Sequence, residues 1–137
     1  MKFENSPLSK IYSYNKVELP FGDFFLCKDI VISEIHEGVH YDKYKIEALA
    51  EVLISHYGSE CKISVISNRV NSYSIDLQEW SRTVNNAKQI IKVAVVSYTF
   101  ATELSFKLEK HFSVQNIETF KTLEESISWV SEKKVII

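Results

Sequence analysis

His36-Glu37-Gly38-Val39-His40 spells the H-E-x-x-H pattern in which two histidines and a glutamate assemble around zinc. That chemistry needs both imidazoles one turn apart on a helix, a third ligand from elsewhere, and the glutamate as base. The surroundings do not supply the helix. Ile30 to Ile35 before the motif reads as a strand, Gly38 sits in its middle, and helix signals begin only at Asp42. A metal-dependent hydrolase built on His36, Glu37 and His40 is therefore set aside as a chance match. The segment is read as a strand end and a glycine-containing loop, and no metal ligand is assigned.

The second constellation is Asn68-Arg69-Val70-Asn71-Ser72-Tyr73-Ser74. It follows an apolar run and precedes a helix signal, so it falls at the carboxyl end of an expected parallel strand. Open α/β sheets bind ligands at that end, and helix N-termini attract anions. Asn68, Arg69, Asn71, Ser72, Tyr73 and Ser74 are the candidate residues for binding a ligand or partner. The alternative is a loop whose polar side chains satisfy its own backbone.

Other reactive arrangements are missing from the sequence. Three glycines, Gly22, Gly38 and Gly58, cannot build a phosphate-cradling loop. There is no G-x-S-x-G elbow and no C-x-x-C pair. Cys27 and Cys61 lie in or beside apolar runs and read as reduced, buried thiols. His56 and His111 fall near helix C-termini, where positive charge is favoured, and Glu124-Glu125 open a helix, where negative charge is favoured. No catalytic residue and no cofactor is assigned.

The elements that must position the loop follow from periodicity. Residues 1–10 read as a flexible lead-in to a single domain over residues 11–137. Ile11 to Leu19 alternates as an edge strand, and Phe24 to Cys27 with Ile30 to Ile35 forms a hairpin about Lys28-Asp29. Ile46, Leu49, Ala50, Leu53 and Tyr57 stripe a helix that Asp42 caps and Gly58 ends. Lys62 to Ser67, Ile90 to Val96 and Val114 to Phe120 read as strands. Three helices alternate with them, striped by Leu77, Trp80 and Val84, by Phe100, Leu104 and Leu108, and by Leu123, Ile127 and Val130. Asp76 with Glu79 and Thr122 with Glu125 have capping-box spacing. Trp80 and Trp129 are expected to pack on the sheet. The fold class is α/β: a mixed sheet with an antiparallel N-terminal ribbon, parallel strands and about four helices.

A chain of 137 residues, 45% hydrophobic and 25% charged, is long and apolar enough for one folded core. A net charge of −2 argues against broad electrostatic binding to nucleic acid or an anionic membrane surface. The first residues lack the apolar stretch of a signal peptide, and no run is long enough to span a bilayer, which places the protein in the cytoplasm. The apolar end Val135-Ile136-Ile137 suggests a docked or partner-covered tail.

Three segments carry a family likeness: Glu34-Ile35-His36-Glu37-Gly38-Val39, Ile66 through Ser74, and Phe120-x-x-Leu123-Glu124-Glu125-Ser126-Ile127-x-Trp129-Val130. With them the chain resembles STAS-type, SpoIIAA-like domains from about Phe21 to Ser131. The resemblance implies a non-catalytic binding or regulatory module acting through protein contacts, with an unidentified protein or a second copy as partner. In anti-sigma-factor antagonists of this type a serine opening the second helix is phosphorylated. The matching place here is Ser72 to Asp76, where no glycine follows and Tyr73 separates the serines. The fold is also similar to lipid-carrying CRAL-TRIO domains. A carrier of a small apolar or anionic ligand is therefore the alternative.

Overall fold

The computed structural model describes residues 1–112 and 116–132. Val114, expected to open the last strand, and the Val135–Ile137 tail lie outside the described residues. Strands β1 (Asn15–Leu19), β2 (Gly22–Leu26) and β3 (Ile30–Ile35) form an antiparallel ribbon. Lys28 and Asp29 sit in the β2–β3 turn, which closes with the Cys27 N–H donating to the Ile30 carbonyl at 2.9 Å. The chain then crosses to β5 (Ile63–Asn68), β7 (Ile90–Val96) and β8 (Ile117–Phe120), all parallel to β3. The sheet order is β1-β2-β3-β5-β7-β8. Two-residue strands β4 (His40–Tyr41) and β6 (Ser74–Ile75) pair separately as a small parallel clip.

Each parallel step moves in the same direction across the sheet, so right-handed crossovers put their helices on one face. These are α2 (Lys43–Tyr57), α3 (Leu77–Asn86) and α4 (Phe100–Phe112). Ile46, Leu49, Leu53, Trp80, Val84 and Phe106 pack from them onto Phe24, Val31, Val93 and Val95. The other face is covered by α1 (Leu8–Ile11) and α5 (Leu123–Val130), through Leu8, Leu123, Ile127 and Val130 on Phe25, Ile32, Ile66 and Val96. Covering both faces buries every position of β3 and β5, the polar Ser33, Glu34, Ser64, Ser67 and Asn68 included. Each large aliphatic side chain so buried contributes about 1.5–3 kcal/mol.

The caps read from sequence are in place. Asp42, Asp76 and Thr122 accept from the backbone N–H of Lys45, Glu79 and Glu125. Gly58 leaves α2 with a φ of 79°, which other residues resist. Trp80 is buried, and Trp129 is half-buried against Phe120 with the Lys92 ammonium 4.9 Å from its ring.

Two segments differ from the sequence reading. Ile11 does not begin a strand. Residues Leu8–Ile11 turn as α1, Ile11 is exposed, and the strand begins at Asn15. Residues 1–10, read as a flexible lead-in, fold back over the sheet. Phe3 is fully buried, its ring 5.1 Å from Tyr14 and 5.0 Å from Phe25. An isolated Phe in a polar segment has no period to reveal it, and only the open sheet face supplies its partners. The second difference is α4. Phe100, Leu104 and Leu108, expected to face the sheet, are exposed, while Phe106 and Glu109 are buried.

Truncating Phe3 tests whether the first turn belongs to the core. Phe3→Ala is expected to cost about 3–5 kcal/mol, as for other buried aromatics. Urea denaturation reads it directly, and an unchanged midpoint contradicts the packing.

Candidate functional site

Arg69 leaves the end of β5 and turns beneath α4. Its guanidinium meets the Glu109 carboxylate as a two-pronged pair, Nη1 to Oε2 at 2.6 Å and Nη2 to Oε1 at 2.5 Å. The side chains are 5% and 0% exposed. Nε donates to Ser67 Oγ at 3.1 Å, and the Tyr73 ring lies 6.0 Å from the guanidinium. A buried charge is tolerated only when paired and hydrogen-bonded in this way. Turning Glu109 inward turns Leu104 and Leu108 outward, which is why the apolar spacing of α4 misleads. Thus Arg69 is a structural cation rather than a group free to meet a ligand.

Above the pair opens a cleft of about 430 Å³ between the β5–α3 loop and the start of α4. Arg69 forms part of its lining, with Asn71, Ser72 and Tyr73 beside it. Tyr98, Thr99, Thr102 and Ser105 form the facing wall, and Glu37 stands at one end. The facing wall was not read from sequence. Its signal was present: Ser97-Tyr98-Thr99 follows the buried β7 and opens a helix, the same strand-end position that singled out the first loop.

The β5–α3 loop is held by tethers at nearly every residue. Asn71 Nδ2 donates to the Ile35 carbonyl at 3.0 Å, and the Ser72 N–H donates to the Glu37 carboxylate at 2.8 Å. The Gly38 N–H donates to the Ser72 carbonyl at 2.8 Å, and Gly38 has a φ of 78°. Ser74 pairs with His40 in the β4–β6 clip, and its hydroxyl is 2.7 Å from His40 Nδ1. The zinc-like motif therefore forms a loop, a turn and a strand rather than one helix. His36 lies 3.6 Å from Asp23, Glu37 holds the Ser72 amide, and His40 meets Ser74. Among the described residues no three His, Cys, Asp or Glu side chains gather as a metal site.

Asn68 is buried away from the cleft. Its Nδ2 donates to Glu34 at 2.8 Å and to the Met1 carbonyl at 3.0 Å, and its Oδ1 accepts from the Tyr98 hydroxyl at 2.7 Å. The Phe3 N–H completes the cluster at 2.8 Å from Glu34. Burial pushes the Glu34 carboxyl above its ordinary value, while the Phe3 and Asn68 donors pull the other way. Burial, then Glu34 and Glu124, push the Tyr98 hydroxyl up to about 12, so it acts as a donor at neutral pH. Burial and then Asp29 push the Cys27 thiol up to about 11, which makes it a poor nucleophile.

No protein-family model and no curated protein matches the sequence. The fold does match a solved structure, that of an uncharacterized protein from the DUF3478 family with a SpoIIAA-like fold from Shewanella loihica PV-4. The two chains are 10% identical, with a TM-score of 0.52 over 86% of this chain and 92% of that one. The chain is thus an α/β domain of the STAS-type, SpoIIAA-like fold. Among the described residues no helix is long and apolar enough to cross a membrane.

The buried pair predicts a paired response. Glu109→Ala is expected to lose about 3–5 kcal/mol by stranding Arg69, whereas Arg69→Met with Glu109→Leu recovers most of it. Urea titrations measure both, and equal midpoints for wild type and Glu109→Ala contradict the account. The Glu34 cluster predicts a pH dependence. A carboxyl raised by folding contributes stability below its unfolded value, and loses it as pH rises through the folded value. Relative to Glu34→Gln, the wild type is therefore most favoured below about pH 4 and loses ground as pH rises above it. A difference that stays flat as pH rises contradicts the assignment.

Proposed function

We propose that the domain is a non-catalytic binding module that recognises a protein partner at the cleft between the β5–α3 loop and the start of α4. The observation that carries this reading is the state of the loop. Asn71, Ser72 and Ser74 are held in place by Ile35, Glu37, Gly38, Val39 and His40, yet Ser72 and Ser74 remain exposed. A surface ordered before binding loses little freedom on binding, so a small contact suffices. The shared fold adds support from the general use of such domains as interaction modules.

One observation favours a second reading, a small ligand in the same cleft. The Arg69 charge is neutralised by Glu109, and Ser72, Tyr73, Tyr98, Thr99, Thr102 and Ser105 offer uncharged donors and acceptors around it. That lining suits an uncharged polar molecule better than an anion or a lipid chain.

Filling the cleft tests both. Ser72→Arg and Thr102→Arg place long side chains across it from surface positions, without touching the Arg69–Glu109 pair. Partners captured by the wild type and by a remote Lys88→Ala control are expected to be lost from both arginine variants. Identical partner sets from all four proteins contradict the partner reading. Native mass spectrometry of the gently purified wild type separates the second reading, because a bound small molecule appears as a mass shift that Thr102→Arg abolishes.

A further inference from the structure

Helix α4 carries an apolar ridge that no part of the described structure covers. Phe100, Leu104, Leu108 and Phe112 follow one another every four residues, with 73%, 46%, 54% and 53% of their surface exposed. Single exposed apolar residues are ordinary, but four in a row leave on the order of 400 Å² in one strip, the size at which such a patch marks a contact. The ridge also stands at a margin. α4 packs beside α3 and over β8, the last strand of the sheet, and among the described residues no other helix packs closely along its outer flank.

The spacing selects the occupant. The ridge reads the same from either end: reversal about Phe106 exchanges Phe100 with Phe112 and Leu104 with Leu108. An antiparallel second copy therefore sets Phe100 against the partner's Phe112 and Leu104 against the partner's Leu108, twice over. Rows of side chains four apart interdigitate in the commonest helix packing, at a crossing angle of about −50°. The contact is self-complementary, as a two-fold dimer requires. On the flank, Glu103 comes beside the partner's His111, also twice. We propose that α4 is a homodimer interface, on which a second copy of this chain docks antiparallel along the Phe100–Phe112 ridge.

The area sets the strength. Two strips supply on the order of 800 Å², which with a polar rim reaches only the low end of specific interfaces. Lys107 also meets its own copy near the axis. The dimer is accordingly weak.

Sedimentation of the full chain from about 1 μM to about 500 μM tests this. The expected result is a shift from monomer to dimer across that range. Leu104→Glu and Leu108→Lys, each alone, are expected to hold the chain monomeric. Both in one chain are expected to leave it monomeric as well, because the carboxylate at 104 and the ammonium at 108 lie one turn apart on the same helix and pair within the chain. Circular dichroism checks that each variant is folded. Should a charge unfold the chain, Phe100→Ser and Phe112→Ser, at the exposed ends of the ridge, must each weaken the dimer about tenfold or more. A wild type that stays monomeric overturns the proposal, including the case in which deleting residues 133–137 releases self-association and so names that segment as the occupant. A dimer indifferent to Leu104→Glu overturns it too, as does a double variant that dimerises like the wild type.

Discussion

The Arg69–Glu109 pair is the interaction on which the rest of this structure turns. Both charges lie out of water between the sheet and α4, joined by two short hydrogen bonds. Separating them leaves one buried charge alone, a penalty of about 3–5 kcal/mol against the about 1.5–3 kcal/mol gained by burying one more leucine. The rotation of α4 about its axis is therefore set by Glu109. Three consequences follow together: Phe106 enters the core, Thr102 and Ser105 face the cleft, and Phe100, Leu104, Leu108 and Phe112 stand outside. An ion pair of this kind contributes specificity of arrangement more than net stability. It decides which of two amphipathic solutions the helix adopts.

Around that pair, the fold holds the site from several directions. The β4–β6 clip ties the segment after β3 to the one after β5, and Glu37 caps the Ser72 amide from the same side. Beneath, Glu34 and Asn68 gather the first residues of the chain and the Tyr98 hydroxyl into one buried cluster. Tyr98 stands at the junction, since it both joins that cluster and lines the cleft. The cleft wall from β7 is thereby linked to the N-terminal turn on the other face of the sheet. Each polar group in these clusters has a partner across a long stretch of sequence, and that is why none of them announces itself locally.

The place of the Asn68 to Ser74 segment at a strand end was legible because it needs only the order of elements. The roles within it were not legible. Arg69 has the chemistry of an anion receptor, yet its charge is engaged by a carboxylate forty residues away. Asn68 belongs to a core cluster, and Ser74 to a two-residue strand. Asn71, Ser72 and Tyr73 line the cleft. The same limit applies to His36, Glu37 and His40, whose spacing is right for zinc only on a helix. Gly38 and the strand before it already argued against one.

The sequence by itself determined the order of the six main strands and of α2 to α5, the mixed sheet, the caps at Asp42, Asp76 and Thr122, and the inward stripes of α2, α3 and α5. These depend on neighbours three or four residues apart, or on the alternation of a single strand, and the chain carries that information locally. Only the tertiary structure decided the facing of α4, the burial of Phe3 and the cleft. Each depends on a group distant in sequence that offers a better partner than the local pattern does: Arg69 for Glu109, the open sheet face for Phe3, and the β7–α4 turn for the loop opposite. Apolar period predicts a buried face only where nothing charged must be buried more urgently.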